Sequence, residues 1–265
     1  MSAGQEPTER LHAVLVTFER PLELATMLRV LAEGTERVDS LVIVDNSRVP
    51  EGEPDGAADA ADHVIMIETH ENLGPAGGIA LGMDRILATA SDDDWILVLD
   101  DDDPPPTPES LASLRRFAHR YVDDDPAVGG VGSNGGRFDP KTGEIRRVPD
   151  AELRGPVDVD YMPGGALPLY RVRAVRDVGT PMPEMFFGFD DLEFGLRLRA
   201  AGYRLVAHGD IWRDNRERTA RLGLGASLRS TRATNSGWRL YYSRRNLIAI
   251  LRLHSLRWPA VRASA

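Results

Sequence analysis

Four consecutive aspartates, Asp100–Asp103, follow the apolar run Trp95–Leu99 and are cut off by Pro104-Pro105-Pro106. A bare acidic run is ordinarily a solvated loop. Placed at the end of a buried strand, crowded carboxylates repel one another and call for a cation. Their hard oxygens suit Mg²⁺ or Mn²⁺ rather than zinc. Such an ion neutralises a diphosphate and stabilises it as a leaving group. The runs Asp92–Asp94 and Asp123–Asp125 lack that placement and read as surface.

A second acidic group, Asp190-Asp191-x-Glu193, follows Phe186-Phe187-Gly188-Phe189 and opens a helical stretch. One reading is helix capping, because acids in a first turn complement the macrodipole. The other is a general base. The aromatic residues form an apolar wall, and a carboxylate beside such a wall is pushed toward a working pKa, while the helix dipole pushes the opposite way.

The elements that must position these groups alternate. His12–Thr17, Leu41–Val44, Val64–Ile67 and Trp95–Leu99 are short apolar strands. Between them lie amphipathic helices: one opened by Pro21 and carrying Leu22, Met27, Leu28 and Leu31, another following the Gly-rich turn Asn72–Gly78. A further helix is expected from a cap at Thr107 to about Tyr121. Such alternation predicts an α/β fold with a mostly parallel sheet flanked by helices, its ligands beyond the C-terminal strand ends. Thr17, Asp45-Asn46 and Asp100–Asp103 are the polar residues there.

Beyond residue 127 the pattern loosens. Ala127–Gly132 reads as a strand, Gly135–Pro156 as a partly hairpin-like segment, and Tyr161–Tyr170 as an apolar stretch broken by Gly164-Gly165. Leu192–Ala201 is helical and stops at Gly202. The expected organisation is a loose tail over 1–10, one catalytic domain over 11–215 and a basic helical extension over 216–265.

The chain has 265 residues, a formal net charge of -9 and no cysteine. The charge argues against a nucleic-acid partner. The missing cysteines exclude disulfides and thiolate chemistry and fit a reducing compartment. No apolar leader or membrane-length run is present, so a cytoplasmic location is expected. The basic, amphipathic stretch Trp238–Trp258 suits contact with the inner face of an anionic membrane, packing on the core, or a homodimer interface.

The ordered set Thr17, Val44-Asp45-Asn46, Asn72-Leu73-Gly74-x-x-Gly77-Gly78, Trp95-x-x-x-x-Asp100-Asp101-Asp102, Gly164-Gly165-Ala166 and Asp190-Asp191-x-Glu193-x-x-x-Arg197 resembles inverting glycosyltransferases of family 2, with the Rossmann-like GT-A fold. The stretches NLGPAGGIALGM and WILVLDDDD are similar to the bacterial galactofuranosyltransferase and rhamnosyltransferase branch, and Tyr241-Tyr242-x-x-Arg245-Asn246 is similar in style. The resemblance implies a nucleoside-diphosphate sugar donor, UDP- or dTDP-linked, a glycan, glycolipid or small-molecule acceptor, and Mn²⁺ or Mg²⁺. It places Thr17, Arg20, Asp45, Asn72, Gly77, Asp100 and Asp101 around the nucleotide, and Gly164 and Gly165 against the donor sugar. Asp102 and Asp100 would hold the metal. Asp191 would be the base and Asp190 would orient it or meet the acceptor. The third metal ligand falls in the stretch Val206–Asp214, where His208, Asp214 or a diphosphate-binding Arg213 would serve.

Two other functions remain. A sugar nucleotidyltransferase ordinarily has a Gly-rich basic loop after its first strand, where this chain reads Thr17-Phe18-Glu19-Arg20. A non-catalytic sugar-nucleotide-binding protein would have no need of both acidic groups.

Overall fold

The structure is a computed structural model that describes residues 9–50, 52, 54–122, 125–223 and 237–254. Its first half repeats strand and helix: β1 (Leu11–Thr17), α1 (Pro21–Ala32), β2 (Val38–Asp45), α2 (Ala57–Ala60), β3 (Ala61–Glu68), α3 (Gly74–Leu87), β4 (Trp95–Asp100) and α4 (Ser110–Val122). The second half is more broken: β5 (Val128–Gly132), β6 (Arg137–Asp139), β7 (Glu144–Arg146), β8 (Pro156–Val159), β9 (Leu169–Arg171), α5 (Val172–Val178), α6 (Asp190–Ala200), β10 (Arg204–His208), α7 (Gly209–Arg218) and α8 (Gly237–Leu253).

The eight-stranded sheet runs β3-β2-β1-β4-β9-β5-β10-β8. β9 is antiparallel to both β4 and β5, and β8 is antiparallel to β10. The other neighbouring pairs are parallel, so the expected mostly parallel sheet is present. β6 and β7 form the hairpin foreseen in Gly135–Pro156.

Alternation along β1 divides the core. Leu11, Ala13 and Leu15 face α1 and α4, meeting Leu24, Met27, Leu28, Leu114 and Phe117. Val14 faces the other layer, where α3 supplies Ile79 and Met83, α6 supplies Phe194 and Leu198, and α7 supplies Trp212. A third, smaller cluster joins Ala76, Met185 and Leu192 to Ile250 and Leu251 of α8. Of the readings open for the basic extension, core packing is therefore what its described part does.

Four local expectations need correction. α4 begins at Ser110, not at Thr107. Thr107 and Ser110 instead close a turn of their own before the helix, with Ser110 N donating to Thr107 O (3.0 Å) and the two hydroxyls 3.0 Å apart. Asp94 is buried, not a surface residue: it accepts from Arg10 N (2.9 Å), Ser91 N (2.7 Å) and the His12 ring. The tail is shorter than 1–10 at its inner end, because Glu9 receives Trp95 Nε1 (3.1 Å) and Arg10 O receives Trp95 N; residues 1–8 lie outside the described part. α7 crosses the expected 215/216 boundary without a break. Residues 224–236 and 255–265 of the extension lie outside the described part.

Candidate functional site

A cavity of about 620 Å³ opens at the C-terminal ends of β1, β2 and β4 and extends to the start of α6. Thr17, Arg20, Asn72, Asp100, Asp101, Asp102, Gly164, Asp190 and Asp191 all line it. The two acidic groups, remote in sequence, thus share one space.

The strand-end acids do different work. Asp101 is buried and ties β4 to β1: it accepts from Thr17 Oγ1 (2.8 Å) and Arg20 Nη1 (2.9 Å). Arg20 Nη1 also reaches Asp102 (2.6 Å), which is otherwise exposed. Asp100 has no such partner. Burial, then the charges of Asp102 and Asp190, push its carboxyl up to about 6. Gly164 is required here because a Cβ at that position would collide with the Asp100 carboxylate. Gly165 sits against Asp103 in the same way. The Gly-Gly break is a 3₁₀ turn that leaves room for the acidic run.

Asp190 and Asp191 open α6 from an unusual approach. Phe186 (φ 58°) and Phe189 (φ 62°) both have left-handed backbone, and Gly188 (φ 79°) lies between them. Both are half-buried in the wall of the cavity. Burial first, then the Asp190 charge, pushes the Asp191 carboxyl up to about 8, against a bond from Leu192 N to Asp191 Oδ1 (2.8 Å). Burial also raises Asp190. The apolar wall therefore wins over the helix terminus. Glu193 has a structural role: buried, it pairs bidentately with Arg197 (2.8 and 2.9 Å), which donates onward to Val178 O and Thr180 O. This fork anchors α6.

Other expected residues sit elsewhere. Asp45 is buried and caps its own strand end by accepting from Ser47 N (2.8 Å), while its neighbour Asn46 lines the cavity. Gly77 packs against Leu73, outside the cavity lining. Gly165 lines a second cavity of about 500 Å³, with Asp103, Arg147, Arg216, Arg218 and Arg221. Neither His208 nor Asp214 lines the first cavity. The His208 ring stacks on Phe117 (centroids 4.3 Å apart), so packing against α4 turns it away from the acids. Among the described residues, no group of three or more His, Asp or Glu side chains is arranged to hold a metal ion. Asp100 and Asp102 remain as a pair of hard ligands. That suits an ion such as Mg²⁺, which keeps waters and takes one or two carboxylates plus substrate phosphates.

The expected aromatic wall is present and reaches further than its own segment. Phe186 stacks on Tyr242 (4.7 Å) and Phe187 meets Trp238 edge-on (4.9 Å). Trp238 and Arg239 of α8 line the cavity and were not among the expected site residues. The only sequence signal for them was the aromatic and basic composition of that stretch.

In an open α/β sheet ligands bind beyond the strand ends, where this acidic cleft lies, and solved structures show that the fold is that of GT-A proteins. GalNAc-T7 with UDP, GalNAc and Mn²⁺ superposes with a TM-score of 0.59 at 13% identity, over 77% of this chain and 43% of that one. The mannosyltransferase PcManGT from Pyrobaculum calidifontis, in complex with GDP-Man and Mn²⁺, gives 0.51 at 19% identity, over 78% and 57%. The profile of Glycosyl transferase family 2 matches residues 13–177, and the chain belongs to that family. It is 31% identical over 211 residues to galactofuranosyltransferase GlfT1 of Mycobacterium tuberculosis H37Rv, covering 74% of this chain and 66% of that protein. The GlfT1 of Mycolicibacterium smegmatis is also 31% identical, with 67% of its length covered. The chain thus spans about two thirds of the curated relatives it matches.

Proposed function

We propose that this chain transfers a sugar from a nucleoside-diphosphate donor to an acceptor hydroxyl by direct displacement with inversion. The observation that carries the reading is the convergence of Asp100 and Asp102 with Asp190 and Asp191 on one cavity. Thr17, Arg20, Asn46 and Asn72 line the end suited to the nucleotide. Asp191, raised and beside Phe186 and Phe189, is the base that takes the acceptor proton as its oxygen attacks the anomeric carbon. Holding both reactants in one partly enclosed space supplies the proximity such a reaction needs. A Mn²⁺ or Mg²⁺ on Asp100 and Asp102, when bound, supplies charge to the departing diphosphate. The likeness to GlfT1 favours a galactofuranose-like donor over a rhamnose-like one; the nucleotide is taken as UDP or dTDP, and the acceptor as a glycan, glycolipid or small molecule. No described helix is long and apolar enough to cross a membrane. Trp238, Leu240 and Tyr241 are exposed on the arginine-rich α8 and form the surface for peripheral membrane contact.

The test is calorimetry of UDP and dTDP with and without Mn²⁺, followed by transfer assays with the corresponding sugar nucleotides and assignment of the product anomer. Metal-dependent nucleotide binding and an inverted product are expected. Equal affinity in both conditions rejects the metal site, a retained anomer rejects direct displacement, and pyrophosphate release from a nucleoside triphosphate favours a nucleotidyltransferase.

A further inference from the structure

The five carbonyls of residues 184–188, the segment leading into α6, are all taken by partners outside it. Asn246 Nδ2 on α8 donates to Met185 O (2.7 Å), Gly188 O (2.7 Å) and Phe187 O (3.1 Å). Arg245 Nη2 donates to Glu184 O and Met185 O (3.0 Å). The remaining carbonyl, of Phe186, accepts from Ala76 N at the start of α3 (3.3 Å). Gly74 permits that approach, because a Cβ there would collide with Phe186 O. Asn246 is 1% exposed, and its amide has one sense only. Arg245 Nε and Nη2 donate to its Oδ1 (2.9 and 2.8 Å), which leaves the NH₂ facing the carbonyls. A flipped amide would set oxygen against oxygen.

This clamp grips a backbone that is unfavourable on its own. Non-glycine residues at positive φ persist where their surroundings over-determine them, and Phe186 and Phe189 are two of them within four residues. Asp190 follows at once. The Asp191 carboxylate accepts from Leu192 N of its own helix, so its place in the cleft follows the backbone path that delivers it. The aromatic contacts of Phe186 and Phe187 with α8 run alongside the polar clamp.

We propose that Asn246, seated by Arg245, is a positioning residue for the reaction: it holds the 184–188 segment in the path that brings Asp190 and Asp191 to the cleft. The proposal rests on the transferase reading for its catalytic meaning. It also makes the C-terminal helix part of the active unit, although the family profile ends at residue 177.

The test uses the full chain carrying Asn246→Ala or Arg245→Lys, with Leu253→Ala, exposed at the far end of the same helix, as control. Misplacement of a reacting group by about 1 Å costs on the order of 100-fold in rate. Asn246→Ala is therefore expected to lower kcat for sugar-nucleotide turnover by that order, with Mn²⁺-dependent UDP affinity within about twofold of wild type. Arg245→Lys keeps the charge but loses the fork and is expected to lose roughly tenfold in kcat; it also serves if the alanine variant does not fold. Hydrogen exchange of amides 185–192 should quicken in both variants while β1 and β4 stay protected. The proposal is overturned if kcat per folded molecule stays at the wild-type level, if UDP affinity falls in step with kcat, or if exchange at 185–192 is unchanged. Because exchange is read without substrate, failure of the transferase reading (no turnover in wild type) remains distinct from failure of the clamp.

Discussion

The two acidic groups of the cleft are built from the same side chain and differ in everything around it. Asp101 and Asp102 stand at a strand end, with Arg20 on both and Thr17 on one. Asp190 and Asp191 stand at a helix start with phenylalanines beside them. In the proposed reaction these carboxylates have different tasks, one pair holding a cation and the other taking a proton. The difference is one of environment, and it is open to experiment from both sides.

The largest expected effect tests the buried side. Asp191→Asn should keep Mn²⁺-dependent UDP binding and lose roughly 10²–10⁴-fold in kcat. Wild-type turnover in that variant would erase the distinction between the groups. On the exposed side, Asp102→Ala should abolish most of the metal dependence, lowering nucleotide affinity in Mn²⁺ by at least about tenfold, as read by calorimetry. Gly164→Ala should do the same less completely, because its methyl group forces Asp100 aside. If that variant binds as wild type does, the Gly-Gly turn is not what shapes the metal end.

A smaller effect concerns stability without metal. The Asp191 carboxyl has its folded value raised to about 8. Between the ordinary carboxylate range near pH 4 and that value, the unfolded chain releases a proton that the folded chain keeps, so stability falls as pH rises through this window. Asp191→Asn removes the penalty. Its Tm advantage over wild type should be absent near pH 4 and grow up to pH 8, by roughly 2–4 °C for each kcal/mol relieved. A constant difference across that range would contradict the buried charge. The smallest effect is expected at His208: His208→Gln should leave metal-dependent nucleotide affinity within about twofold, since packing on Phe117, not ligation, fixes the ring. A tenfold loss would return His208 to the metal site.

The same two regions differ in how far the amino-acid sequence discloses them. β1, β2, β3 and β4 are continuous apolar runs ending in polar residues, and parallel-sheet rules then place Thr17, Asn46 and Asp100–Asp102 together. Local pattern suffices because strand ends of one parallel sheet are neighbours by construction. Asp45 shows the limit of that rule: one residue along a strand reverses the face, so Asn46 enters the cavity and Asp45 caps its own turn. The base side depends on partners far apart in the chain. The aromatic wall was legible in Phe186–Phe189. That Trp238, Arg239 and Asn246 would meet it was not, since a basic amphipathic helix has no periodicity that names its partner. His208 lies earlier in its stretch than the resemblance leads one to expect of a ligand, and its ring packs on a partner 91 residues away in sequence, a contact no local pattern names.

Arg20 carries a consequence for the order of events. Its guanidinium bridges Asp101 and Asp102. In the proposed reaction a divalent cation on Asp102 would compete with Arg20, and a diphosphate arriving with it would offer Arg20 a replacement anion. Cation and nucleotide are then thermodynamically linked, each improving the other's affinity by the same factor. On that reading the arginine would be an interlock, holding the acids quiet until donor and ion come as one.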